Sequence, residues 1–297
     1  MEEDVLQAYL KAGKIAAEAR TFGASLIKIN AKLIDVTAAV EKKILELGGN
    51  FAFPPQISIN SIAAHYAALP DETIIFKEGD VVKLDLGVHI DGYVADTAVT
   101  VDLGDNKDLV DASRNALAAA LKLVRPGVTL GELGAAIQEQ ITAKGFTPIR
   151  NLSGHGLGRF IIHTSPSIPN IDTKDSAALV EDQVIAIEPF ATTGMGMVQE
   201  SGQASIFTLE RKKPVRNAMT RDVLKDIEQY NGLPFSQRQL VLKQSPGKVA
   251  FALRELRQLD CLHEYPPLKE RANGIVSQAE HSVIVREKPL TYTKDDA

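Results

Sequence analysis

The stretch VVKLDLGVHIDGYVADTAVTV, residues 81–101, decides how this sequence is expected to fold. Its apolar side chains alternate along two runs that are separated by Asp91-Gly92, and an Asp-Gly pair between two such runs predicts a β-hairpin with a two-residue turn. The turn fixes the register, which places Gly87 opposite Asp96 and puts Asp85 and Asp96 on one face of the sheet. The Cα atoms of the two aspartates are then about 7–8 Å apart.

The two aspartates of this hairpin need a cation between them if they are buried, because close carboxylates repel each other and burial increases the repulsion. Two divalent metal ions about 3.5–4 Å apart would fit the gap. The competing interpretation is a half-exposed hairpin with two solvated acids. Gly87 disfavours it mildly, since glycine leaves room above the sheet. His89 points to the same face, but no motif assigns it a role.

Three further residues are candidate metal ligands. His155 lies in the glycine-rich run SGHGLGR, and imidazole is a good ligand for divalent metals. Glu188 directly follows the apolar run VIAI, and Glu280 precedes the apolar run SVIV, where a buried acid is costly unless it is paired. A flexible loop with a surface histidine remains an alternative for His155. A phosphate-binding loop is disfavoured, because the glycine spacing does not fit one.

Together these candidate ligands balance the charge of two divalent ions. Two Asp and two Glu supply four negative charges. A shell of carboxylate oxygens with one imidazole suits Mn, Fe, Co or Zn better than it suits a metal that prefers thiolate. Two such ions lower the pKa of a bound water molecule far enough to supply hydroxide near neutral pH. The residues therefore predict a dinuclear metal centre.

Amphipathic helices are predicted on both sides of the hairpin. The spacing of apolar residues indicates two pairs of helices, at residues 5–20, 34–47, 108–124 and 130–144. Residues 33–41 and 130–138 can be superposed at a constant offset, which suggests an internal duplication. An α+β domain with a pseudo-two-fold axis is therefore expected, with later strands at residues 183–187 and 279–285.

Residues 201–267 differ in character from the rest of the chain. Amphipathic helices are expected at residues 219–230 and 248–259, between two strand-like segments. We interpret this block as an inserted helical subdomain, and residues 1–200 with 268–297 as the catalytic domain. The tail after Lys288 is polar and poorly patterned.

Bulk composition excludes several classes of function. The net charge of −5 provides no basic field for DNA or RNA. Cys261 is the single cysteine, so neither an internal disulfide nor a cysteine-metal cluster is possible. The acidic start MEEDVLQAYL does not resemble a secretory signal, and no apolar run approaches the roughly 20 residues of a membrane span. A cytoplasmic monomer without membrane contact is expected.

The ordered ligand set resembles that of a known family, the pita-bread metallopeptidases, which include methionine aminopeptidases, prolidases, aminopeptidase P and the creatinases. The set consists of Asp85, Asp96, His155, Glu188 and Glu280. Further motifs and the insertion resemble type II methionine aminopeptidases, and the short N-terminus resembles archaeal members. These motifs are Phe53-Pro54, Asn60, the run AAHY at 63–66, LDLG at 84–87, GHGLG at 154–158, Ile162-His163 and SIPN at 167–170.

The resemblance implies the pita-bread fold and removal of the initiator methionine from nascent proteins, where a small residue follows the methionine. Hydrolysis would use a hydroxide that bridges two divalent ions (Co, Mn, Fe or Zn). Asp96 and Glu280 would bridge both ions, Asp85 would bind one of them, and His155 with Glu188 would bind the other. Glu188 would also accept the proton of the attacking water.

The resemblance also assigns residues to the substrate. His65 and His163 would contact the substrate, stabilise the tetrahedral intermediate and assist the departing amine. Phe53, Ile162 and His163 would line the methionine pocket. Departures from the family pattern are Thr164-Ser165 and Gln199, which put inhibitor response and fine side-chain preference in doubt rather than the chemistry.

Three rival interpretations remain open. A proline-specific relative would usually carry an additional N-terminal domain. A non-catalytic protein of the same fold would have lost metal ligands, whereas all five are present here. The basic stretch at residues 211–216 would allow a transient association with the ribosome, although a solvated face of the insertion explains the same charges.

Overall fold

The computed structural model describes residues 1–294 of the chain. Its helices cover the predicted segments with small shifts at their ends. They are α1 (Glu3–Leu26), α2 (Leu33–Glu46), α3 (Lys107–Leu123), α4 (Leu130–Ala143), α5 (Ala218–Glu228), α6 (Gln237–Val241) and α7 (Pro246–Gln258). The first helix extends beyond the predicted end at Arg20, because its buried face continues to Gly23.

The strands form one large antiparallel sheet and three small ones. The large sheet has the order β1 (Asn50–Ile59), β3 (Val81–Ile90), β4 (Tyr93–Asp102), β16 (Glu280–Ile284), β8 (Val184–Ile187), β6 (Ser153–Gly158) and β7 (Ile161–Pro169), with β17 (Leu290–Thr291) beside β16. The small sheets are formed by β2 (Ile62–Ala64), β10 (Val198–Glu200) and β14 (Leu268–Glu270); by β11 (Ile206–Leu209), β12 (Phe235–Ser236) and β13 (Leu262–Tyr265); and by β5 (Thr147–Pro148), β9 (Phe190–Thr192) and β15 (Val276–Gln278).

The hairpin predicted at residues 81–101 is confirmed in its register. Gly87 pairs with Asp96, and the strands meet at Asp91-Gly92. Both turn residues have positive φ, 51° for Asp91 and 90° for Gly92, which is the backbone geometry of a type I′ turn. Asp85 and Asp96 therefore project from the same face of adjacent strands.

Two helix pairs cover the two halves of the large sheet. Helices α1 and α2 pack on β1, β3 and β4, and helices α3 and α4 pack on β8 and β16. The midline between β4 and β16 separates these halves, so the arrangement agrees with the expected pseudo-two-fold axis. Helix α4 begins with a capping box, in which the Thr129 side chain accepts from the Glu132 backbone N–H and the Glu132 carboxylate accepts from the Thr129 backbone N–H.

The region 201–267 has an apolar core of its own, built around Phe207, Phe235 and Leu256. Besides the predicted helices, the region contains the sheet of β11, β12 and β13, which packs with α5, α6 and α7 and was not predicted. A buried ion pair between Arg238 and Glu41 of α2 ties the region to the rest of the protein. The predicted domain boundaries stay a prediction.

The C-terminal tail also differs from the expectation. Residues after Lys288 were expected to lack a pattern, yet Leu290 and Thr291 pair with Ile284 and Val283 of β16. Residues 295–297 of the predicted catalytic domain lie outside the described residues. Across residues 1–294, no helix combines the length and the apolar character that a membrane crossing requires.

Candidate metal centre and substrate cavity

The predicted site residues line a single cavity of about 430 Å³. Neighbouring strands of the large sheet position the five candidate ligands, since β3, β4, β16, β8 and β6 are consecutive in it. The cavity lining includes the ligands and the four predicted substrate contacts: Asp85, Asp96, His155, Glu188, Glu280, Phe53, His65, Ile162 and His163.

The most compact part of the cavity is formed by Asp96, His155 and Glu280, which each offer one ligand atom within 4.8 Å of the others. The Nε2 of His155 lies 3.7 Å from Oδ2 of Asp96 and 3.5 Å from Oε1 of Glu188. Asp96 and Glu280 are almost fully buried, with 3% and 2% of their surface exposed. This spacing is suited to a cation that is bound between the side chains.

Buried carboxylate oxygens in this cluster lack hydrogen-bond partners among residues 1–294. They are Oδ1 of Asp85, Oδ1 of Asp96 and Oε2 of Glu280. A buried acceptor without a donor is costly, and buried charges are usually paired or coordinate a metal. The residues present therefore fit a divalent cation.

The pKa values of the acids also indicate that the cluster lacks a compensating positive charge. Burial raises the pKa of Asp85 from 3.8 to about 7, against a hydrogen bond from Gln278 that lowers it. Burial first, and the neighbouring carboxylates second, hold the pKa values of Asp96, Glu188 and Glu280 well above their ordinary values. Positive charge placed between the carboxylates would restore their ionised form.

His155 is held neutral, as a metal ligand must be. Burial, followed by the nearby His163, lowers the pKa of His155 to about 3. Its Nδ1 lies 3.3 Å from the carbonyl oxygen of Gly156. A hydrogen bond from Nδ1–H to that carbonyl leaves the Nε2 lone pair directed at the carboxylates.

Several residues that support the cluster were not predicted from the sequence. Gln278 Nε2 donates to Oδ2 of Asp85 at 3.2 Å. The Oγ of Ser282 both accepts from the Asp96 backbone N–H at 2.9 Å and donates to the Asp96 carbonyl at 2.8 Å. Thr97 Oγ1 donates to the carbonyl of Glu280 at 2.9 Å. These bonds connect β15 to β3 and β16 to β4.

His65 adopts an unusual backbone conformation beside the cluster. Its φ of 65° is in the left-handed region, which non-glycine residues enter rarely and often at functional sites. Its backbone N–H donates to Oε1 of Gln56 at 2.6 Å. Burial first, then the nearby His163, lower the pKa of His65 to about 4, although a hydrogen bond to the backbone of Pro266 acts in the opposite direction.

His163 and Tyr265 stand near the two other histidines of the cavity. The His163 ring centroid lies 4.5 Å from that of His155, and the Tyr265 ring lies 5.5 Å from His65 and 6.3 Å from His163. Burial, followed by His263, lowers the pKa of His163. Tyr265 is the last residue of β13, and the sequence pattern did not indicate a role for it.

Phe53 explains why position 87 is a glycine. A Cβ on Gly87 would lie 2.3 Å from the Phe53 ring, so any side chain there would displace this ring from the cavity wall. The absence of a side chain at Gly87 leaves space above the sheet, and the Phe53 ring occupies this space. His89, two residues further along β3, contributes to a separate cavity with Phe160, at a ring distance of 5.5 Å.

Comparisons with known proteins identify the family. Residues 7–216 match the model of metallopeptidase family M24. Methionine aminopeptidase of Archaeoglobus fulgidus is 47% identical, with 99% of both chains covered. The enzyme of the same name from Thermococcus onnurineus is 48% identical over 98% of this chain and 99% of that relative. The chain belongs to metallopeptidase family M24, among its methionine aminopeptidases.

Solved structures share the fold of this chain. Methionine aminopeptidase of Thermotoga maritima superposes with a TM-score of 0.74 at 24% identity, covering 99% of this chain and 98% of that one. A thermophilic Arx1 superposes with a TM-score of 0.87 at 17% identity, covering 100% and 92%. The predictions of a pita-bread fold and of a metal-dependent aminopeptidase are thus confirmed, and membership of this metallopeptidase family implies divalent metal ions.

Proposed function

We propose that this M24 chain removes the initiator methionine from nascent polypeptides in which a small residue follows it, with two divalent ions bound in the cavity. The observation that carries this proposal is the group of buried carboxylate oxygens of Asp85, Asp96 and Glu280 that have no hydrogen-bond partner among the described residues. They converge with Glu188 and the neutral His155 in one cavity. The four negative charges of these carboxylates balance the four positive charges of two divalent ions.

The positions of the acids support the assigned ligand roles. Asp96 and Glu280 project from adjacent central strands, so each would contact both ions. Asp85 lies on β3, to one side of these strands, and would bind one ion. His155 on β6 and Glu188 at the end of β8 lie to the other side and would bind the second ion. When bound, the ions lower the pKa of a water molecule enough to supply a nucleophile near neutral pH. Co, Mn, Fe and Zn all suit this donor set.

Glu188 is placed to receive the proton of the attacking water. Its carboxylate lines the cavity with Oε1 3.5 Å from Nε2 of His155, so it can accept a proton from a water molecule held at the cluster. A carboxylic acid formed there can return the proton to the leaving amine.

His65 and His163 would bind the peptide at the scissile bond. The lowered pKa of His65 keeps its ring neutral, so one ring nitrogen could accept from the scissile N–H. His163, close to His155, would donate to the oxygen that becomes negative during attack. Both contacts position the substrate against the carboxylate cluster.

The methionine side chain would occupy the apolar wall of the cavity, next to the buried side chains of Phe53 and Ile162. Tyr265 between His65 and His163 restricts the space beyond the scissile bond, which favours a small second residue. Comparing turnover of Met-Ala-Ser with that of an Ala-Pro peptide separates this proposal from a proline-specific activity. Faster cleavage of the Ala-Pro peptide would refute it.

Several wider properties belong to the same proposal. We infer a cytoplasmic monomer in which residues 201–267 form an insertion that is tied to the catalytic domain by Arg238. The basic stretch 211–216 gives little support to a ribosome contact. Lys212 pairs with Glu228 at 3.0 Å and Lys213 lies 3.7 Å from Asp260, so acids offset part of its charge.

A further inference from the structure

Gln56 has one end of its side chain fixed and the other free. It lies on β1, is 8% exposed and lines the substrate cavity. Its Oε1 accepts a 2.6 Å hydrogen bond from the backbone N–H of His65. Because an N–H can only donate, the amide atom that faces it must be the oxygen. The NH₂ group therefore points away from His65.

No residue in the described part of the chain accepts a hydrogen bond from that NH₂ group. The Nε2 of Gln56 is also not among the polar atoms that are sealed from solvent without a partner. It is thus a donor that faces the open cavity. The bond to His65, whose left-handed backbone directs its N–H at Gln56, holds this donor in place before substrate arrives.

Gln56 adjoins both the carboxylate cluster and the apolar wall of the cavity. It pairs across the strands with Asp85, whose Oδ2 accepts from Gln278 and whose Oδ1 is assigned to the proposed cation. Phe53 precedes Gln56 by three residues on β1, and the buried Ile162 contributes to the same cavity. In the proposed function, the polar groups of the peptide at the scissile bond already have partners, namely the carboxylate cluster, His65 and His163. The substrate group left for Gln56 is the side chain of the first residue.

A methionine side chain carries one acceptor, its thioether sulfur, on a flexible apolar stem. We propose that Gln56 is a specificity-determining residue whose Nε2–H donates to this sulfur and so distinguishes methionine from side chains of equal length without an acceptor. This inference rests on the proposed function. It adds a polar contact to a pocket otherwise described by its apolar walls.

The test compares Met-Ala-Ser with norleucine-Ala-Ser, which replaces the sulfur by a methylene group. The kcat/KM ratio of the two peptides is measured for the metal-loaded wild type and for Gln56→Met. Loss of a single hydrogen bond of this kind lowers the ratio by about 2- to 10-fold. Damage to His65 or to the metal centre slows both peptides alike and therefore cancels in the ratio.

A second variant separates the two ends of the amide. Gln56→Glu keeps an acceptor for the His65 N–H but replaces the donor by oxygen, so the ratio again falls, to the Gln56→Met value or below it. Gln258→Met is the matched control, because Gln258 is an exposed glutamine on α7 outside the cavity lining. Its ratio is expected to equal that of the wild type.

A ratio that stays at the wild-type value in Gln56→Met would overturn the inference. If that variant does not fold, an unchanged ratio in Gln56→Glu would overturn it instead. Failure of the wild-type enzyme to release methionine from Met-Ala-Ser would refute the proposed function itself, and the two failures are thereby distinguished.

Discussion

Gln278 holds one oxygen of Asp85 and leaves the other free. Its Nε2 donates to Oδ2 of Asp85 at 3.2 Å, whereas Oδ1 has no hydrogen-bond partner within residues 1–294. The backbone of Gln278 is itself fixed by Thr100, whose Oγ1 donates to the Gln278 carbonyl at 2.6 Å and accepts from its N–H at 2.9 Å. Asp85 is therefore oriented before any cation binds.

This orientation predicts that Gln278→Ala weakens metal binding. Loss of a residue that orients a ligand typically lowers metal affinity by about 10- to 100-fold. Titration calorimetry with Mn²⁺ on chelator-treated protein measures the effect. Gln7→Ala, on the exposed face of α1, is the control and should bind as the wild type does. Equal affinities in Gln278→Ala and the wild type would contradict the role given to Gln278.

The crowding of the acids predicts opposite effects of Asp96→Asn on stability and on function. The variant removes one of several repelling buried charges, so the metal-free protein should gain on the order of 1 kcal/mol, a rise of roughly 2–4 °C in Tm. The same change should abolish metal-dependent methionine release, as should Asp96→Ala and Glu280→Ala. Calorimetric melting and a peptide assay provide the two readouts. Full activity in any of these variants would exclude the proposed ligand set.

The stability of the metal-free protein should depend on pH in a defined direction. The folded state raises the pKa of Asp85 from 3.8 to about 7, so between these values the folded state binds more protons than the unfolded state. The contribution of Asp85 to the free energy of unfolding is therefore expected to fall as the pH rises from about 4 to about 7. Asp96, Glu188 and Glu280 act in the same direction, whereas the lowered pKa values of His65, His155 and His163 act against them. Comparison of the wild type with Asp85→Asn isolates the contribution of the carboxyl group.

Denaturant unfolding across this pH range, in the presence of a chelator, measures the effect. Saturating Mn²⁺ should reverse the trend, because the bound cations favour the ionised carboxylates. A difference in the free energy of unfolding between the wild type and Asp85→Asn that does not change over this range would show that Asp85 is not in the crowded, buried arrangement described.

His65→Ala should keep the metals and lose turnover. The side chain lies beside the cluster rather than within the compact group of Asp96, His155 and Glu280, and loss of a positioned acid-base group costs about 10²- to 10⁴-fold in rate. His65→Gly is a matched variant that tolerates the positive φ. Both variants should retain wild-type metal content by elemental analysis. Loss of metal in His65→Gly would reassign His65 to the metal centre.

The ion pair between Glu41 and Arg238 predicts a double-mutant cycle. Both residues are buried, with 7% of the surface of each exposed. Burial raises the pKa of Glu41 despite the guanidinium beside it. Arg238→Met alone should therefore destabilise the protein by about 3–5 kcal/mol, because it leaves a buried acid unpaired. Adding Glu41→Leu should recover most of the loss. Equal stability of the single and double variants would argue against a structural role for this ion pair.

The features that sequence reasoning found are those with local causes. The register of the hairpin follows from Asp91-Gly92, and once it is set, Asp85 and Asp96 must share a face. His155 stood out because it lies within a glycine-rich run, and Glu188 and Glu280 stood out because each lies at the end of an apolar run. Their order along the chain then matched a family pattern.

The supporting residues could not be found in the same way, because their partners are distant in sequence. Gln278 is 193 positions from Asp85, and Ser282 is 186 positions from Asp96. Gln56 depends on the left-handed backbone of His65, which nothing in the local pattern required. The short strand β11 was missed for a related reason, since its pairing with β13 bridges more than fifty residues.

Metal-dependent release of methionine from Met-Ala-Ser tests the central claim most directly. The protein is stripped with a chelator and then titrated with Mn²⁺, with Fe²⁺, Co²⁺ and Zn²⁺ in parallel, while free methionine is measured. The proposed centre predicts no release from the metal-free protein and a rate that rises until two ions per chain are bound. Undiminished release by the metal-free protein, or a full rate at one ion per chain, would contradict the dinuclear mechanism.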